Sequence, residues 1–385
     1  MSKILFTSES VSEGHPDKIC DQISDAILDE CLKLDPKSRV ACETFICNQT
    51  VVLGGEITTK AKLDYVQIVR NILKEIGYDN SEWGIDYRDC QIINLINHQS
   101  PDIALGVDHN GAGDQGIVYG YAVNKNDRYM PNAIVMAHDL VSLASKLRKE
   151  NHFLYARPDM KSQVTLDTTD PKFQRIDTIL MSIQHSENYD ANEFFTFIKN
   201  NIIMPIAKKY NMNTDFKILI NPTGKFSIGG PKADTGLTGR KIIVDTYGGS
   251  ARHGGGAFSG KDATKTDRSA AYMCRYAMKN LVASGVVADE CEIQVSYAIG
   301  MEKPISVYID TKGTEKIPKD QIYDIINKFF DFSPKQIIKT LGLKKPIFKQ
   351  TAVYGHFGKD EKQQQLPWEN LDMVEAIKKY VSNLK

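Results

Sequence analysis

At 385 residues the chain is longer than one ordinary core accommodates, so two or three domains are expected, and 42% hydrophobic with 25% charged residues exclude extended disorder. Its 48 basic and 48 acidic residues cancel, which excludes a global attraction to nucleic acid or to an anionic membrane. Neither a basic leader nor an apolar stretch of membrane-spanning length occurs, and the seven scattered cysteines lack the paired spacing of a zinc site, so a cytoplasmic protein with reduced core thiols is expected.

Pro16 suits the first turn of a helix, and Ile19, Ile23, Ile27 and Leu34 recur along one face, which predicts a helix over 16–34. Apolar runs at Val40 to Ile46 and Val51 to Ile57 predict two strands joined across Asn48-Gln49-Thr50. A second helix follows, with Thr59 as candidate cap, apolar Val66, Val69, Leu73 and Ile76, and Gly77 as its stop; a strand over 91–96 comes next. Further helices are expected over 131–149, 192–210, 268–284 and 368–384, and strands over 164–167, 175–184, 217–220, 242–247, 292–299 and 305–310. The interleaving gives an α+β or α/β class. Asn48 to Gly55 and Asn221 to Gly230 share asparagine, x, threonine, a short apolar strand and Gly-Gly, a faint sign of repeated domains. Asn48-Gln49-Thr50 and Asn221-Pro222-Thr223 read as turns rather than glycosylation sites.

Charge is unevenly placed. Glu9, Glu13, Asp17, Asp21, Asp25, Asp29 and Glu30 stand against the single Lys18, whereas lysine and arginine dominate 225–279. An acidic and a basic segment together suit a metal-bound polyanion. Within the basic one, Gly254 to Lys265 reads GGGAFSGKDATK and is built like a phosphate cradle. Glycines admit backbone N–H groups to a polyanion, a helix N-terminus follows, and Lys261 and Lys265 add full charges. Gly255 to Lys261 matches G-x-x-x-x-G-K, but Asp262 stands where the usual ATPase loop needs Ser or Thr for magnesium, so that loop is rejected. The plain alternative is a flexible loop with solvated lysines.

Gly14-His15-Pro16-Asp17-Lys18 places His15 near the helix cap, able to donate a hydrogen bond to an oxygen gaining charge, and Asp17 in the first turn. Structurally, His15 can equally be a mere cap, with Asp17 complementing the dipole and Asp21 and Asp25 continuing one solvated face. GGPKADTGLTGRK at 229–241 carries Asp234 and the pair Arg240-Lys241, or is a surface turn; GAGDQG at 111–116 reads as a turn. Glu43 and Glu56 lie in the first predicted hairpin, where carboxylates usually face solvent.

Taken together, GHPDK at 14–18, NHQSPDI at 97–103, GAGDQG at 111–116, GGP with GLTGRKIIVDTYGG across 229–249, and GGGAFSGKD at 254–262 resemble methionine adenosyltransferase, or S-adenosylmethionine synthetase, over nearly the whole chain. The resemblance implies an α+β fold of three similar domains, each a mixed sheet covered by helices, in a pseudo-threefold arrangement over 3–101, 110–227 and 229–368. It implies a transferase making S-adenosylmethionine from ATP and L-methionine, then hydrolysing tripolyphosphate to phosphate and pyrophosphate. Mg2+, two per site, and K+ would be cofactors, and a homo-oligomer, a dimer or a dimer of dimers, would carry active sites between subunits.

Carried over residue by residue, His15, Lys161, Arg240 and Lys265 would be catalytic. ATP would meet His15, Asp159, Met160, Lys161, Lys225, Phe226, Asp234, Arg240, Lys241, Ala257, Lys261 and Ile299, with Phe226 and Ile299 sandwiching the adenine. Methionine would meet Glu56, Gln99, Asp234 and Lys265; Asp17 and Asp267 would hold magnesium and Glu43 potassium. Gln99 to His109 would be a lid, although the chain is several residues shorter than usual between Ser100 and Gly111, and Lys225 replaces a commoner arginine, losing its forked hydrogen bonding. Two rival readings are a polyphosphate sensor without turnover and an RNA-binding protein using Tyr272 and Tyr276, whose i,i+4 spacing instead suggests packing.

Overall fold

The computed structural model describes residues 3–97, 111–170, 173–359 and 366–384. Its strands are β1 (Leu5–Val11), β2 (Arg39–Cys47), β3 (Thr50–Thr58), β4 (Gln91–Asn94), β5 (Gly116–Val123), β6 (Ala156–Asp167), β7 (Arg175–His185), β8 (Lys217–Ile220), β9 (Gly236–Leu237), β10 (Glu290–Tyr297) and β11 (Ser306–Asp310). The α-helices are α1 (Pro16–Leu34), α2 (Tyr65–Ile76), α3 (Asn132–Lys149), α4 (Ala191–Phe197), α5 (Met204–Lys209), α6 (Ile242–Asp245), α7 (Thr266–Ala283), α8 (Lys319–Phe329), α9 (Pro334–Thr340) and α10 (Val374–Ser382).

These elements form three mixed sheets covered by helices, an α+β fold. The first has strand order β9-β2-β3-β4, the second β1-β6-β7-β8 and the third β5-β10-β11. In each sheet an antiparallel hairpin (β2-β3, β6-β7 or β10-β11) pairs antiparallel with an edge strand from another part of the chain. In the first two, a helical crossover adds a parallel fourth strand, β4 beside β3 and β8 beside β7. The edge strands are exchanged in a ring. β1, which leads into α1, joins the second sheet; β5, which leads into α3, joins the third; β9, which precedes α7, joins the first. That shared topology is the threefold relation in structural terms.

The long helices α1, α3 and α7 each lie against a hairpin and its exchanged strand. Being covered on several sides, they bury polar as well as apolar residues. In α1, Ile19, Ile23 and Ile27 have no exposed surface, and neither do Asp21 and Asp25. One continuous core joins the first and last sheets through residues such as Leu53, Tyr272 and Trp368; a second, around Leu140, Ile179 and Phe194, serves the middle sheet. Tyr272 stacks on Trp368 at 3.8 Å and Tyr276 is buried as well, so both aromatics are packing residues.

Several expectations need correction. Residues 242–247 do not form a strand: Ile242–Asp245 is a helical turn, because Asp245 is drawn inward to the Lys18 ammonium and the run has no strand partner. A short apolar run reads equally well either way. The helix expected over 192–210 is interrupted by a π-helical segment, Ile198–Ile203; Pro205, in the following turn, has no N–H to continue the regular ladder. At the C-terminal end, Pro367–Glu369 is a separate 3-10 turn that braces α7, and α10 starts only at Val374. Asp64 rather than Thr59 caps α2, accepting from the Gln67 N–H at 2.9 Å, while Gly77 ends that helix at φ +97° as expected. Asp21 and Asp25 are not a solvated face. The Asn48 and Asn221 stretches do turn in the left-handed region, but one follows β2 and the other β8, so their likeness does not mark equivalent positions in the repeat.

Candidate active site

Two sets of charged side chains gather where α1 meets segments from later in the chain. The first surrounds the β1–α1 turn. Gly14 is needed there because a Cβ would lie 2.4 Å from the Pro158 carbonyl oxygen, so the turn sits directly on β6. His15 caps α1, its Nδ1 accepting from the Asp17 N–H at 3.2 Å, and is 2% exposed. Burial, reinforced by the nearby Lys241 charge, pushes the imidazole down to about 3. It is therefore neutral at physiological pH, and because Nδ1 accepts, its proton is assigned to Nε2.

Asp17 is 1% exposed and accepts the Leu237 N–H at 2.9 Å, with the Lys241 ammonium on its other oxygen and Arg240 Nε 3.8 Å away. Burial alone would raise its carboxyl, but these hydrogen bonds outweigh it and hold the group below the ordinary range. Asp159 and Met160, on β6, are also buried; Asp159 accepts the Gly230 N–H at 2.9 Å through Oδ2, while its buried Oδ1 has no partner among the described residues. Burial pushes this carboxyl up to about 6. Exposed Lys161 lies across from Val11 of β1, near enough for its charge to act on His15 and Asp159, and exposed Asp234 also faces Asp159.

The second set is the 254–265 segment and its surroundings. Gly260, at φ +79°, donates its N–H to Asp25 at 2.9 Å, and a Cβ there would lie 2.0 Å from the Cys42 carbonyl oxygen, so the loop presses onto β2. Lys261 bridges Ala41 and pairs with Asp267 at 2.6 Å. Lys265 pairs with Asp262, which also accepts the Val40 N–H at 2.7 Å. Glu43 and Glu56 lie exposed on β2 and β3, Glu43 within electrostatic reach of Lys261. Gly239 is tight against Ala257, so the two sets are neighbours, although among the described residues no hydrogen bond or ion pair joins them.

Other expected contacts are dispersed. Lys225 is exposed and pairs with Glu187 at 2.9 Å, Phe226 is tied through its backbone to His185, and Ile299 is 65% exposed beyond β10 of a different sheet. Gln99 and the lid segment lie outside the described residues. Of the basic residues at 225–279, Arg268, Arg275 and Lys279 are structural: Arg268 pairs with Asp25, and the other two with Glu369, all buried. Residues that sequence reasoning missed are Lys18, Asp21, Asp25 and Asp262; the visible signal for Asp21 and Asp25 was their four-residue spacing with Asp17 and Asp29, and Lys18 and Asp262 carried none.

Among the described residues no three acidic or histidine side chains form a metal-binding group. Magnesium does not require one, since it is commonly held by one or two carboxylates together with substrate phosphates. Asp17 and Asp267, each now countered by a lysine, fit that mode.

Buried titratable groups set the pH dependence of stability. His15 and His138 are pushed down to about 3 by burial, and His356 is also pushed well below the ordinary value. The unfolded chain therefore binds more protons below about pH 6.5, and stability from these three is lost as pH falls through that window. Asp21, raised by burial to about 7, and Asp29 and Asp159, raised to about 6, work oppositely: the folded chain holds more protons between about pH 4 and 6, so their contribution falls as pH rises. The melting temperature should be nearly level from about pH 6 to 4 and drop steeply below, where only losses remain. Thermal melts across pH would refute this by a steady fall beginning at pH 6.5.

Models of S-adenosylmethionine synthetase domains match the chain in succession: the N-terminal domain over residues 3–101, the central domain over 109–226 and the C-terminal domain over 228–370. The chain is 62% identical to the S-adenosylmethionine synthase of Mesoplasma florum over 379 residues, covering 97% of this chain and 99% of that one. It is 59% identical to that of Mycoplasma capricolum subsp. capricolum, covering 99% and 98%, and 51% identical to that of Clostridium botulinum, covering 98% and 100%.

Proposed function

The chain belongs to the S-adenosylmethionine synthetase family, and from that premise we propose that its two charged sets hold ATP while methionine sulfur attacks ribose C5′. It is a transferase, a methionine adenosyltransferase. In the proposed step the S–C5′ bond forms as the C5′–O5′ bond breaks, and the electron pair leaves on the triphosphate. The sulfur is a neutral nucleophile and needs no general base, so the barrier falls mainly through in-line positioning and stabilisation of the departing charge.

The observation that carries this reading is the neutral, buried His15 beside Asp17, Arg240 and Lys241. His15 Nε2–H donates toward the departing oxygen, while Lys161, Arg240, Lys241, Lys261 and Lys265 neutralise the phosphates. Asp159, Met160, Lys225, Phe226, Asp234, Ala257 and Ile299 contact the nucleotide; Glu56, Gln99, Asp234 and Lys265 receive methionine. Asp17 and Asp267 would hold magnesium and Glu43 potassium, and ions bound there would supply further positive charge beside the polyphosphate. The same lysines and Arg240 then retain tripolyphosphate while water cleaves it to phosphate and pyrophosphate, where positioning and electrostatics again dominate.

The dispersed positions of Phe226, Ile299 and the two charged sets are accommodated if each site is completed by a second copy, in a dimer or a dimer of dimers. Light scattering after size exclusion tests the oligomer. Formation of S-adenosylmethionine from ATP and methionine tests the reaction. Lys261→Ala should lower kcat by about 10² to 10³-fold, the loss typical of one charge-stabilising donor. Wild-type turnover in that variant would remove Lys261 from the phosphate site.

A further inference from the structure

One helix sets the spacing of both charged sets. Along α1, Asp17, Asp21, Asp25 and Asp29 recur every fourth residue, and each accepts a backbone N–H from a segment at least 200 residues later in the chain. Asp17 takes Leu237 N–H and Asp21 takes Gly239 N–H at 2.8 Å, which places the loop ending in Arg240 and Lys241. Asp25 takes Gly260 N–H at 2.9 Å and both terminal nitrogens of Arg268 at 2.6 and 2.9 Å. It thereby grips both ends of the segment carrying Lys261, Lys265 and Asp267. Asp29 takes Phe348 N–H at 3.0 Å and Lys349 N–H at 2.9 Å, fixing the far end of the helix to the same region.

A four-residue step along an α-helix is about 6 Å, and its faces are rotationally aligned to within about 40°. Two carboxylates so spaced therefore hold their loops at a fixed separation along the axis. Lys18 anchors the register from the side, donating to Asp21 at 2.8 Å and to Asp245, just beyond the Arg240-Lys241 pair. None of these carboxylates except Asp17 lies among the groups proposed to touch substrate, and Asp21 and Asp25 have no exposed surface.

We infer that Asp21 and Asp25 are positioning residues for adenosyl transfer, setting where Lys241 and Lys261 stand relative to His15 at the N-terminal end of the same helix. This rests on the function proposed above. Purely structural acids at these places would need only to satisfy buried donors. The pattern goes further, because the bound N–H groups immediately precede the cations, Gly239 before Arg240-Lys241 and Gly260 before Lys261.

Asp21 provides the cleaner test: its buried partner Lys18 keeps a second carboxylate, Asp245, whereas the buried Arg268 pairs with Asp25. Asp21→Asn retains an oxygen able to accept from Gly239 and should keep kcat within about threefold. Asp21→Ala should lower kcat by about 30-fold in molecules shown by circular dichroism to be folded at the assay temperature, as displacement of a charge from its target does. Asp21→Glu keeps a carboxylate for Lys18 but moves the accepting oxygen by one methylene, and should share the defect if alanine prevents folding. In a Lys241→Ala background the further loss caused by Asp21→Ala should largely vanish, because residues acting as a unit are non-additive.

Inorganic tripolyphosphate gives a reading independent of turnover, and its affinity should fall about tenfold in Asp21→Ala, by the same loss of charge placement. Absence of S-adenosylmethionine formation by the wild-type chain would overturn the proposed function. Wild-type kcat and tripolyphosphate affinity in folded Asp21→Ala or Asp21→Glu, or full additivity with Lys241→Ala, would overturn the positioning role.

Discussion

His15→Ala is expected to lower kcat by about 10² to 10³-fold while leaving the fold intact, the typical cost of removing one donor aimed at developing charge. Two contributions are separable. As a helix cap, His15 accepts one backbone N–H, and losing a cap costs about 1 kcal/mol of stability. As a donor, its value rests on being neutral and buried, so that the proton on Nε2 is directed by Nδ1 capping rather than exchanged freely with solvent. Asparagine at the same position restores the cap but presents a shorter donor. His15→Asn should therefore recover stability without recovering turnover. Steady-state kinetics and thermal melts on both variants decide the matter; an asparagine variant with wild-type kcat would mean that the histidine serves only the helix.

Asp25→Ala is expected to cost about 3 to 5 kcal/mol of stability, because it leaves the Arg268 guanidinium buried without a counter-charge. Both side chains have no exposed surface, and the pair is bidentate. Arg268 keeps its bonds to Tyr272 and to the Phe258 carbonyl oxygen, which hold the group in place but cannot neutralise it. The Gly260 N–H loses its acceptor too. Replacing both partners with apolar residues, as in Asp25→Leu with Arg268→Met, should recover much of the loss, since removing a buried pair together is far cheaper than breaking it. A single variant that melts with the wild type would show that water reaches the site. Chemical denaturation of the single and double variants provides the measurement.

The sequence made the helices and hairpins legible where a local period carried the signal. Ile19, Ile23 and Ile27 mark α1, and the apolar runs flanking Asn48 mark β2 and β3, because the residues that decide those elements are close together. The three exchanged strands were not read. Leu5 pairs with Asp167, Gly116 with Tyr297 and Phe45 with Leu237, so what makes each an edge strand is a distant partner. β1, with the sequence LFTSESV, has little apolar alternation of its own. The candidate site was legible through its motifs, since glycine, lysine and arginine in clusters betray phosphate chemistry without tertiary knowledge. The acids of α1 were misread for the opposite reason. An aspartate every fourth residue is usually a wet face, and only the later segments that cover this helix turn it into a row of acceptors.

The ring of exchanged strands bears on how the chain is made. During synthesis β1 emerges long before β6, and the first sheet waits for Gly236 and Leu237 before its open edge is covered. No stretch released early can close its own sheet, so ribosome-bound intermediates expose unpaired edges until the final third has appeared. Slow maturation and a need for protection from aggregation while nascent follow from that connectivity.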